Sequence, residues 1–376
     1  MANMMDYLEW RGDLSLDAAP FNEIDNLLFT QVIYLDWMGI VPGIDQSSKV
    51  TVEEAKDCYL ERYPLEEIQK MPRLKQSASQ LLLKMAESER FAHCYLSNYV
   101  EDINEEEESQ FSAMKVDLDD GSVFISFSGT DHTLAGWKEN FNMSYLAETP
   151  GQLKAVKYVE DTVPFYKNRL RFGGHSKGGN LAVYAAMHCR KSIQRRLLAI
   201  YNNDGPGFTQ KMISEEGYQR ILDRIHTYLP QSSVVGMLLE HEEEIEVIQS
   251  TNNGIMQHDA FSWEVKGTSF VHLDELETNS IYLDRTLKNW VNGLNELQRQ
   301  QFVDALFTIL ENANIDDTDK LGRMSFTQFV ELMKAVDGLS PESKEVLKDT
   351  IWRLLNSARD IMANRRKMQK LESSEE

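Results

Sequence analysis

A serine between glycines is the residue of this chain best suited to chemistry. Ser176 stands in the string GGHSKGG, with Gly174 two positions before it and Gly178 two positions after it. The apolar run RLRF precedes this string and the Ala-rich run NLAVYAA follows it, which is typical of a strand, a sharp turn and a helix. In such a turn the glycines let the strand and the helix approach closely, and Ser176 is presented above the sheet as a nucleophile. The alternative is a glycine-rich turn in which the serine only caps the helix.

Two backbone donors are expected beside this serine. His175 and Lys177 complete the turn, and the amide of Lys177 follows the nucleophile, where it can bind the oxyanion of a tetrahedral intermediate. A second donor is expected from Thr130, in FSGTD at the end of an earlier strand, through its amide and its hydroxyl. A simple glycine turn is the alternative for that segment.

A serine hydroxyl is a weak nucleophile at neutral pH, so a histidine must accept its proton and an acid must orient that histidine. Asp204, in NNDGPGF, follows the next apolar strand, and such sites are built at the carboxyl ends of parallel strands. His258 follows a later strand, EIEVIQS, and the turn TNNG, as expected for the base. Each has a structural alternative, because Asp204 also suits an Asp-Gly-Pro-Gly turn and His258 also suits a surface or packing position.

Three other histidines follow Asp204 in the chain. His226 and His272 fall inside or beside strand-like runs. His241 stands among glutamates in LEHEEEIE, which predicts a solvated surface position. The pattern therefore favours His258 as the base.

The elements that must position these residues alternate between strand and helix. This alternation is typical of a parallel βαβ sheet and predicts an α/β-hydrolase core with a mostly parallel sheet. The predicted elements are a strand at 122–128, a helix at 151–166, the strand RLRFGGHS, the helix NLAVYAAMHC and the strands LLAIYNN, IHTYLP and EIEVIQS.

The N-terminal segment, residues 1–84, is expected to be mostly helical and to pack on the core. Its first 25 or so residues have an extended pattern, and a buried helix then ends near Gly39. Helical periodicity covers 51–70 and 75–90, and the acidic run at 102–109 predicts a solvated loop or helix end.

The core is expected over residues 85–281, and an all-helical appendage over 282–376. Residues 316–328 are similar to a calcium-binding loop, but Leu321 and Gln328 stand where calcium needs oxygen ligands, so a helical turn is predicted instead. The last helix has an apolar stripe and a basic end. It is expected to dock on its own domain, and contact with a partner or a lipid surface stays open.

Composition excludes several classes of protein. With 39 basic and 60 acidic side chains the net charge is -21, which repels nucleic acid and disfavours anionic membrane surfaces. Neither a signal sequence nor an apolar run of roughly 18 residues is evident, which predicts a cytoplasmic protein with no membrane span. No metal or other cofactor is expected. Three scattered cysteines are expected to be reduced and buried: Cys58, Cys94 and Cys189.

Several of these motifs resemble known hydrolases. FSGTDHTLAGWKENF resembles the FRGT…W…DF segment of the class 3 lipases, and GHSKGGNLAVYAA resembles their GHSLGGALA turn. The ordered set YLEWRGD, PFNEIDNLLFTQVIYLDW, YNNDGPGF, PQSSVVGMLL and QHDAFSW resembles an uncharacterised bacterial family of lipase-like α/β-hydrolases, over about residues 5–265. The resemblance implies an α/β-hydrolase fold, an oxyanion role for Thr130 and an ester, including an acyl-lipid ester, as substrate.

The chain departs from the class 3 lipases at two places. Ser128 stands where those lipases have Arg. They also carry their acid after a later strand, where this chain has Gln231, Ser232 and Ser233 and no carboxylate. A position after the preceding strand resembles the aspartate of pancreatic-type lipases, which keeps Asp204 as the first candidate.

These observations predict a serine hydrolase that cleaves a carboxylic ester through Ser176, Asp204 and His258 and an acyl-enzyme. A thioesterase and an acyltransferase would use the same residues. A rival of another class is a hydrolase-like scaffold that is catalytically silent and binds partners through its C-terminal helices. A carboxylate that reaches the ring of His258 would favour the enzyme over the scaffold.

Overall fold

A mixed sheet organises the chain in this computed structural model, which describes residues 2–276 apart from 105–108, 131–147, 164–167 and 234. Within this part of the chain the sheet has 9 strands in the order β1-β2-β3-β4-β5-β6-β7-β8-β11, and β9 and β10 form a separate hairpin. The strands are β1 (Val50–Thr51), β2 (Tyr95–Asn104), β3 (Ser109–Asp117), β4 (Val123–Phe127), β5 (Leu170–His175), β6 (Leu197–Asn203), β7 (Ile225–Pro230), β8 (Ile245–Ile248), β9 (Val265–Lys266), β10 (Ser269–Phe270) and β11 (His272–Leu273).

The centre of the sheet is parallel. Strands β4 to β8 pair parallel to one another in sequence order. Strands β1 to β4 pair antiparallel at one side, and β11 pairs antiparallel with β8 at the other. The sheet is therefore mixed, with a parallel centre, which agrees with the predicted α/β class.

Helices cover both faces of the sheet. The helices are α1 (Met4–Arg11), α2 (Glu23–Val32), α3 (Val52–Arg62), α4 (Leu65–Ile68), α5 (Arg73–Ala86), α6 (Pro150–Thr162), α7 (Lys177–His188), α8 (Lys191–Gln194), α9 (Gln210–Ile213) and α10 (Glu216–Gln219). Phe124 of β4 belongs to the core that α1 to α5 share, whereas its neighbours Val123 and Ile125 belong to the core beneath α6 and α7. This alternation follows from the period of two along a strand.

The N-terminal segment differs from the expectation in two places. Residues 4–11 form α1 instead of an extended segment, and Asn3 begins it because its side chain accepts the amide of Met5 while Asp6 caps in return. Helix α2 ends at Val32, well before Gly39. The apolar run after Val32 is buried by other means, since the indole of Trp37 donates to the carbonyl oxygen of Val32 at 2.9 Å.

The predicted acidic loop is in part a strand. Residues 102–104 belong to β2, and Asn104 pairs with Ser109 of β3. Charged side chains are tolerated there because the strand is only half buried at this end, and Asp102 forms an ion pair with Lys154 of α6 at 2.9 Å. The expectation of a solvated loop or helix end was wrong for 102–104, because pairing with β3 outweighs the tendency of an acidic run to stay solvated.

Two of the three cysteines are buried as expected. Cys94 and Cys189 lie in the cores, and burial raises the pKa of each thiol to about 12. Cys58 is exposed on the solvent side of α3, so the prediction that it is buried was wrong.

The expected C-terminal helices, 282–376, and the loop at 316–328 lie outside the described residues. Within those residues no helix is long and apolar enough to cross a membrane.

Candidate active site

The turn that carries Ser176 is strained. Ser176 joins β5 to α7 with φ 58° and ψ −132°, a conformation that non-glycine residues rarely adopt. Its amide donates to the carbonyl oxygen of Asn203 at 2.9 Å, and its carbonyl oxygen accepts from the amide of Gly179 at 2.9 Å. Such strain persists only where surrounding contacts enforce it, and it is frequent at functional sites.

Close backbone packing is one of those contacts. A Cβ on Gly174 would lie 2.0 Å from the carbonyl carbon of Gly178, and a Cβ on Gly178 would lie 2.2 Å from the carbonyl oxygen of Phe127. Neither position has room for a side chain. The glycines at both places are therefore required by the approach of α7 to β4 and β5.

The first turn of α7 lies next to the serine. Helix α7 begins at Lys177, so the positive end of its dipole lies at Ser176. The Lys177 side chain is fully buried, and its ammonium donates to the carbonyl oxygen of Gln110 at 2.5 Å. The sequence predicted a role only for the amide of Lys177, whereas the structure also directs its buried side chain to the backbone of β3.

The end of β4 lies against the serine. A Cβ on Gly129 would lie 3.2 Å from the Cβ of Ser176 and 2.6 Å from the carbonyl oxygen of His175. Thr130 follows directly and is half-buried. Ser128, at the position of the lipase Arg, is buried, and its amide donates to the carbonyl oxygen of Ser112 at 2.9 Å. The FSGT segment thus reaches the turn that carries Ser176 through Gly129.

Asp204 is fully buried and its carboxylate contacts His258. Oδ2 of Asp204 lies 2.6 Å from Nδ1 of His258. Oδ1 accepts hydrogen bonds from the amide of Gly236 at 3.2 Å and from the hydroxyl of Ser233. The amide of Asp204 donates to the carbonyl oxygen of Tyr228 at 2.9 Å. Every polar atom of the carboxylate is therefore engaged.

Asp204 is also part of a turn, as the alternative interpretation expected. It has a positive φ of 52°. Three asparagine contacts support the turn: Asn202 Oδ1 accepts the amide of Gly205 at 2.9 Å, and Asn180 Nδ2 donates to the carbonyl oxygens of Pro206 at 3.1 Å and Gly207 at 2.9 Å. The two interpretations of Asp204 are compatible, because the turn holds its carboxylate towards His258.

His258 ends a short 3-10 helix and lies beside the turn that carries Ser176. Its side chain is 26% exposed, which leaves one edge open to solvent. Its ring is tilted by 32° against the ring of His175 at a centroid distance of 4.6 Å. Its carbonyl oxygen accepts from Nε2 of His175 at 2.9 Å, so Nδ1 of His175 is the acceptor for the hydroxyl of Tyr34 at 3.1 Å. His175 thereby connects the residue before Ser176 to the backbone of His258.

A protein-family model matches residues 85–308, a range that contains Ser176, Asp204 and His258. The chain belongs to the Mbeg1-like family. No curated protein matches it. The matched Mbeg1-like region also contains one pair of residues that sequence reasoning misjudged.

That pair is His241 and Glu243. Both side chains are only 3% exposed, and Nδ1 of His241 lies 2.9 Å from Oε1 of Glu243. Burial raises the pKa of the Glu243 carboxyl. The hydrogen bond and the charge of His241, together with hydrogen bonds from Thr227 and Tyr218, outweigh burial and hold this pKa at about 2. The solvated position predicted for His241 was therefore wrong. Along 241–244 the less exposed residues alternate with the exposed Glu242 and Glu244, but the residue types of this acidic run gave no sign of it.

His226 and His272, the two remaining histidines that follow Asp204 in the chain, lie away from this site. Glu23, Glu246 and His272 form the one group within the described residues whose ligand atoms lie within 4.8 Å of one another, as a metal would require. Glu23 already accepts from the hydroxyl of Tyr228 at 3.0 Å and from the amide of Phe270 at 2.6 Å. The imidazole of His272 lies between the two carboxylates, 3.4 and 3.5 Å away. His226 joins its edge, 3.8 Å from Glu246.

Proposed function

We propose that this protein is a serine hydrolase that cleaves carboxylic esters, with esters of acyl lipids as a substrate class. Ser176 is the nucleophile, His258 the base and Asp204 the acid. The observation that carries the proposal is the 2.6 Å contact between Asp204 Oδ2 and His258 Nδ1, beside a serine in a strained turn. A carboxylate at Nδ1 leaves Nε2 as the nitrogen that takes the serine proton, and it stabilises the imidazolium that forms.

The reaction follows from these positions. As Nε2 of His258 takes the hydroxyl proton, Oγ of Ser176 attacks the ester carbonyl carbon and a tetrahedral intermediate forms. The amides of Lys177 and Thr130 bind its oxyanion, and the amino end of α7 adds a favourable dipole. His258 then protonates the leaving alcohol as the C–O bond breaks. Water, activated by the same histidine, hydrolyses the acyl-enzyme and releases the acid and the free serine.

The contact at His258 also favours the enzyme over the scaffold. A scaffold has no need of a buried carboxylate directed at an imidazole, and burial of the Asp204 carboxylate beside a strained serine has an energetic cost. The resemblance of FSGTD and GHSKGG to class 3 lipase motifs supports ester chemistry, and membership of the Mbeg1-like family is compatible with it. The net charge of -21 supports small or neutral substrates over nucleic acid.

A fluorophosphonate probe tests the proposal, because it labels only an activated serine. The wild type, Ser176→Ala and Ser214→Ala are compared for labelling and for hydrolysis of short and long p-nitrophenyl esters. Ser214 is exposed and bonds only to the carbonyl oxygen of Gln210 in its own helix, so its variant is the matched control. We expect labelling and turnover to be lost in Ser176→Ala alone. A folded wild type that neither reacts with the probe nor hydrolyses any ester would overturn the proposal in favour of the scaffold.

A further inference from the structure

We infer that His241 and Glu243 are a buried positioning pair that holds the carboxylate of Asp204 in register with His258. The inference rests on the proposed function, since it concerns the acid of that site. Neither residue touches Ser176 or the ring of His258. They act through the backbone of Gly236, which lies between them and Asp204.

The first step concerns the charge of the pair. Oε1 of Glu243 accepts from the hydroxyl of Thr227 at 2.5 Å and from His241, and Oε2 accepts from the hydroxyl of Tyr218. A buried carboxylate with this set of donors is satisfied as an anion. A second charged group buried beside this carboxylate is then favourable only if its charge is positive and it has hydrogen-bond partners of its own.

The second step concerns the protons of His241. Nδ1 faces the Glu243 carboxylate at 2.9 Å, and Nε2 lies 2.7 Å from the carbonyl oxygen of Gly236. A carbonyl oxygen accepts and never donates, and an ionised carboxylate does the same. Both ring nitrogens of His241 therefore donate, and a ring that donates twice is an imidazolium.

The third step passes through Gly236. Its carbonyl oxygen accepts from His241, and its amide donates to Oδ1 of Asp204 at 3.2 Å. These two groups lie on either side of its Cα, so together they set both backbone angles of the glycine. A Cβ on Gly236 would lie 2.5 Å from Oδ1 of Asp204 and 2.2 Å from Cδ2 of Leu229. The backbone of Gly236 is thus packed directly against the carboxylate.

The fourth step concerns the orientation of the carboxylate. Ser233 Oγ donates to Oδ1 of Asp204 and accepts from the amide of Gly236 at 3.1 Å. Two donors at Oδ1 fix the plane of the carboxylate and direct Oδ2 at His258. If His241 no longer holds Gly236, one of these donors moves, and the carboxylate can turn away from the imidazole.

The segment is also fastened to the turn of the acid itself. The amide of Gly207 donates to the carbonyl oxygen of Leu238 at 2.8 Å. Phe208 and Glu240 exchange a pair of hydrogen bonds of 2.8 and 2.9 Å. Residues 204–208 and 236–243 therefore move together, and the buried pair at 241 and 243 is the anchor of both.

Three variants test the inference in the full chain. His241→Phe keeps the ring but removes both donors, and His241→Gln keeps a donor for Gly236. His226→Phe is the matched control, because that histidine is half-exposed and lies 3.8 Å from its nearest carboxylate. We expect kcat for a p-nitrophenyl ester to fall about 10- to 100-fold in His241→Phe and less in His241→Gln, with KM unchanged, because small displacements of catalytic groups have effects of this size. Circular dichroism and Tm verify the fold.

A second readout does not depend on activity. The proton between Nδ1 of His258 and Asp204 should give a low-field ¹H NMR resonance that Asp204→Asn abolishes. We expect this resonance to shift or broaden in His241→Phe and in His241→Gln, and to stay unchanged in His226→Phe. Folded His241 variants with wild-type kcat and an unmoved resonance would overturn the inference. A wild type without esterase activity whose resonance still responds to His241 would overturn the proposed function and leave the positioning pair standing.

Discussion

Oδ2 of Asp204 lies 2.6 Å from Nδ1 of His258, although 54 positions separate the two residues in the chain. The other carboxylate oxygen is held by Gly236 and Ser233, and the other face of the imidazole lies against the ring of His175. The imidazole is thus held by a hydrogen bond to a carboxylate and by a ring contact.

Replacement of the acid should remove most of the activity and little of the structure. If Asp204 is the acid of the proposed site, the amide in Asp204→Asn cannot stabilise an imidazolium, so we expect kcat to fall by about 10⁴-fold, as in established Ser-His-Asp enzymes. Ester hydrolysis at saturating substrate measures this. Asp259→Asn is the control, because Asp259 follows His258 directly but its Oδ1 caps the amide of Phe261 at 3.1 Å. Equal losses in the two variants would contradict the assignment of the acid.

Replacement of His175 should lower the rate through the backbone of His258. His175→Phe keeps a ring beside His258 but removes the Nε2 donor to its carbonyl oxygen, which is 2.9 Å away. We expect kcat to fall about 10-fold with little change in KM. Tyr34→Phe, which removes only the hydroxyl 3.1 Å from Nδ1, should have a smaller effect in the same assay. An unchanged kcat in His175→Phe would mean that the ring contact alone orients His258.

Two glycines should differ in their tolerance of a methyl group. A Cβ on Gly178 would meet the carbonyl oxygen of Phe127 at 2.2 Å, so we expect Gly178→Ala to lower the free energy of unfolding by about 3 kcal/mol or more. Gly121 has a positive φ of 73° but nothing within 4 Å of its Cβ position. Gly121→Ala should therefore cost only about 1 kcal/mol, from backbone strain. Urea denaturation compares the two, and similar losses would refute the steric explanation.

The buried ion pair between Arg90 and Asp25 should be essential for the N-terminal segment. Both side chains are fully buried, and Arg90 also donates to the carbonyl oxygen of Ala19 at 2.8 Å. Arg90→Met leaves the carboxylate buried and uncompensated, so we expect a loss of about 3–5 kcal/mol in the free energy of unfolding. Lys84→Met, which breaks an exposed pair with Glu9, should cost less than about 1 kcal/mol. Thermal and urea unfolding measure both, and a small loss in Arg90→Met would contradict the anchoring role.

The low pKa of Glu243 should make stability depend on pH in acid. Its folded-state pKa of about 2 lies below the ordinary value of 4.5. At a pH between these two values the unfolded chain therefore binds a proton at Glu243 that the folded protein does not bind. The stabilisation is complete above pH 4.5 and is lost as pH falls towards 2. Between pH 5 and pH 2 we expect the wild type to lose more of its free energy of unfolding than Glu243→Gln loses. The difference should be on the order of 3 kcal/mol. The exposed neighbour variant Glu244→Gln should follow the wild-type curve.

Local signals predicted the central part of the fold. The strands around LRFGGH, LLAIYNN and IHTYLP, and the helices after Thr149 and Ser176, are formed where the sequence indicated them. Each is specified by a short apolar run between glycine or polar turn residues, so the information lies within about ten neighbouring positions. The serine turn was recognisable for the same reason, because its glycines stand within a few positions of Ser176 between a strand-like run and a helical run.

The hairpin of β2 and β3 and the burial of His241 were not predictable in this way. Strand β2 contains Glu101 and Asp102, and its identity as a strand depends on pairing with β3 and on a half-buried face. His241 lies in an acidic segment, and its burial depends on a carboxylate whose charge it balances. In both cases composition predicts that the residues are exposed to solvent, because a count of charged residues does not show which partners balance them.

The sequence by itself determined the α/β class, the strained serine turn and a short set of candidate acids and bases. Only the tertiary structure decided which of them meet. The parallel order β5-β6-β7-β8 brings the ends of β5 and β6 together, and the loop after β8 returns His258 to Asp204. Such contacts depend on chain topology over tens of residues, and a one-dimensional pattern of residue types does not contain the distances that chemistry requires.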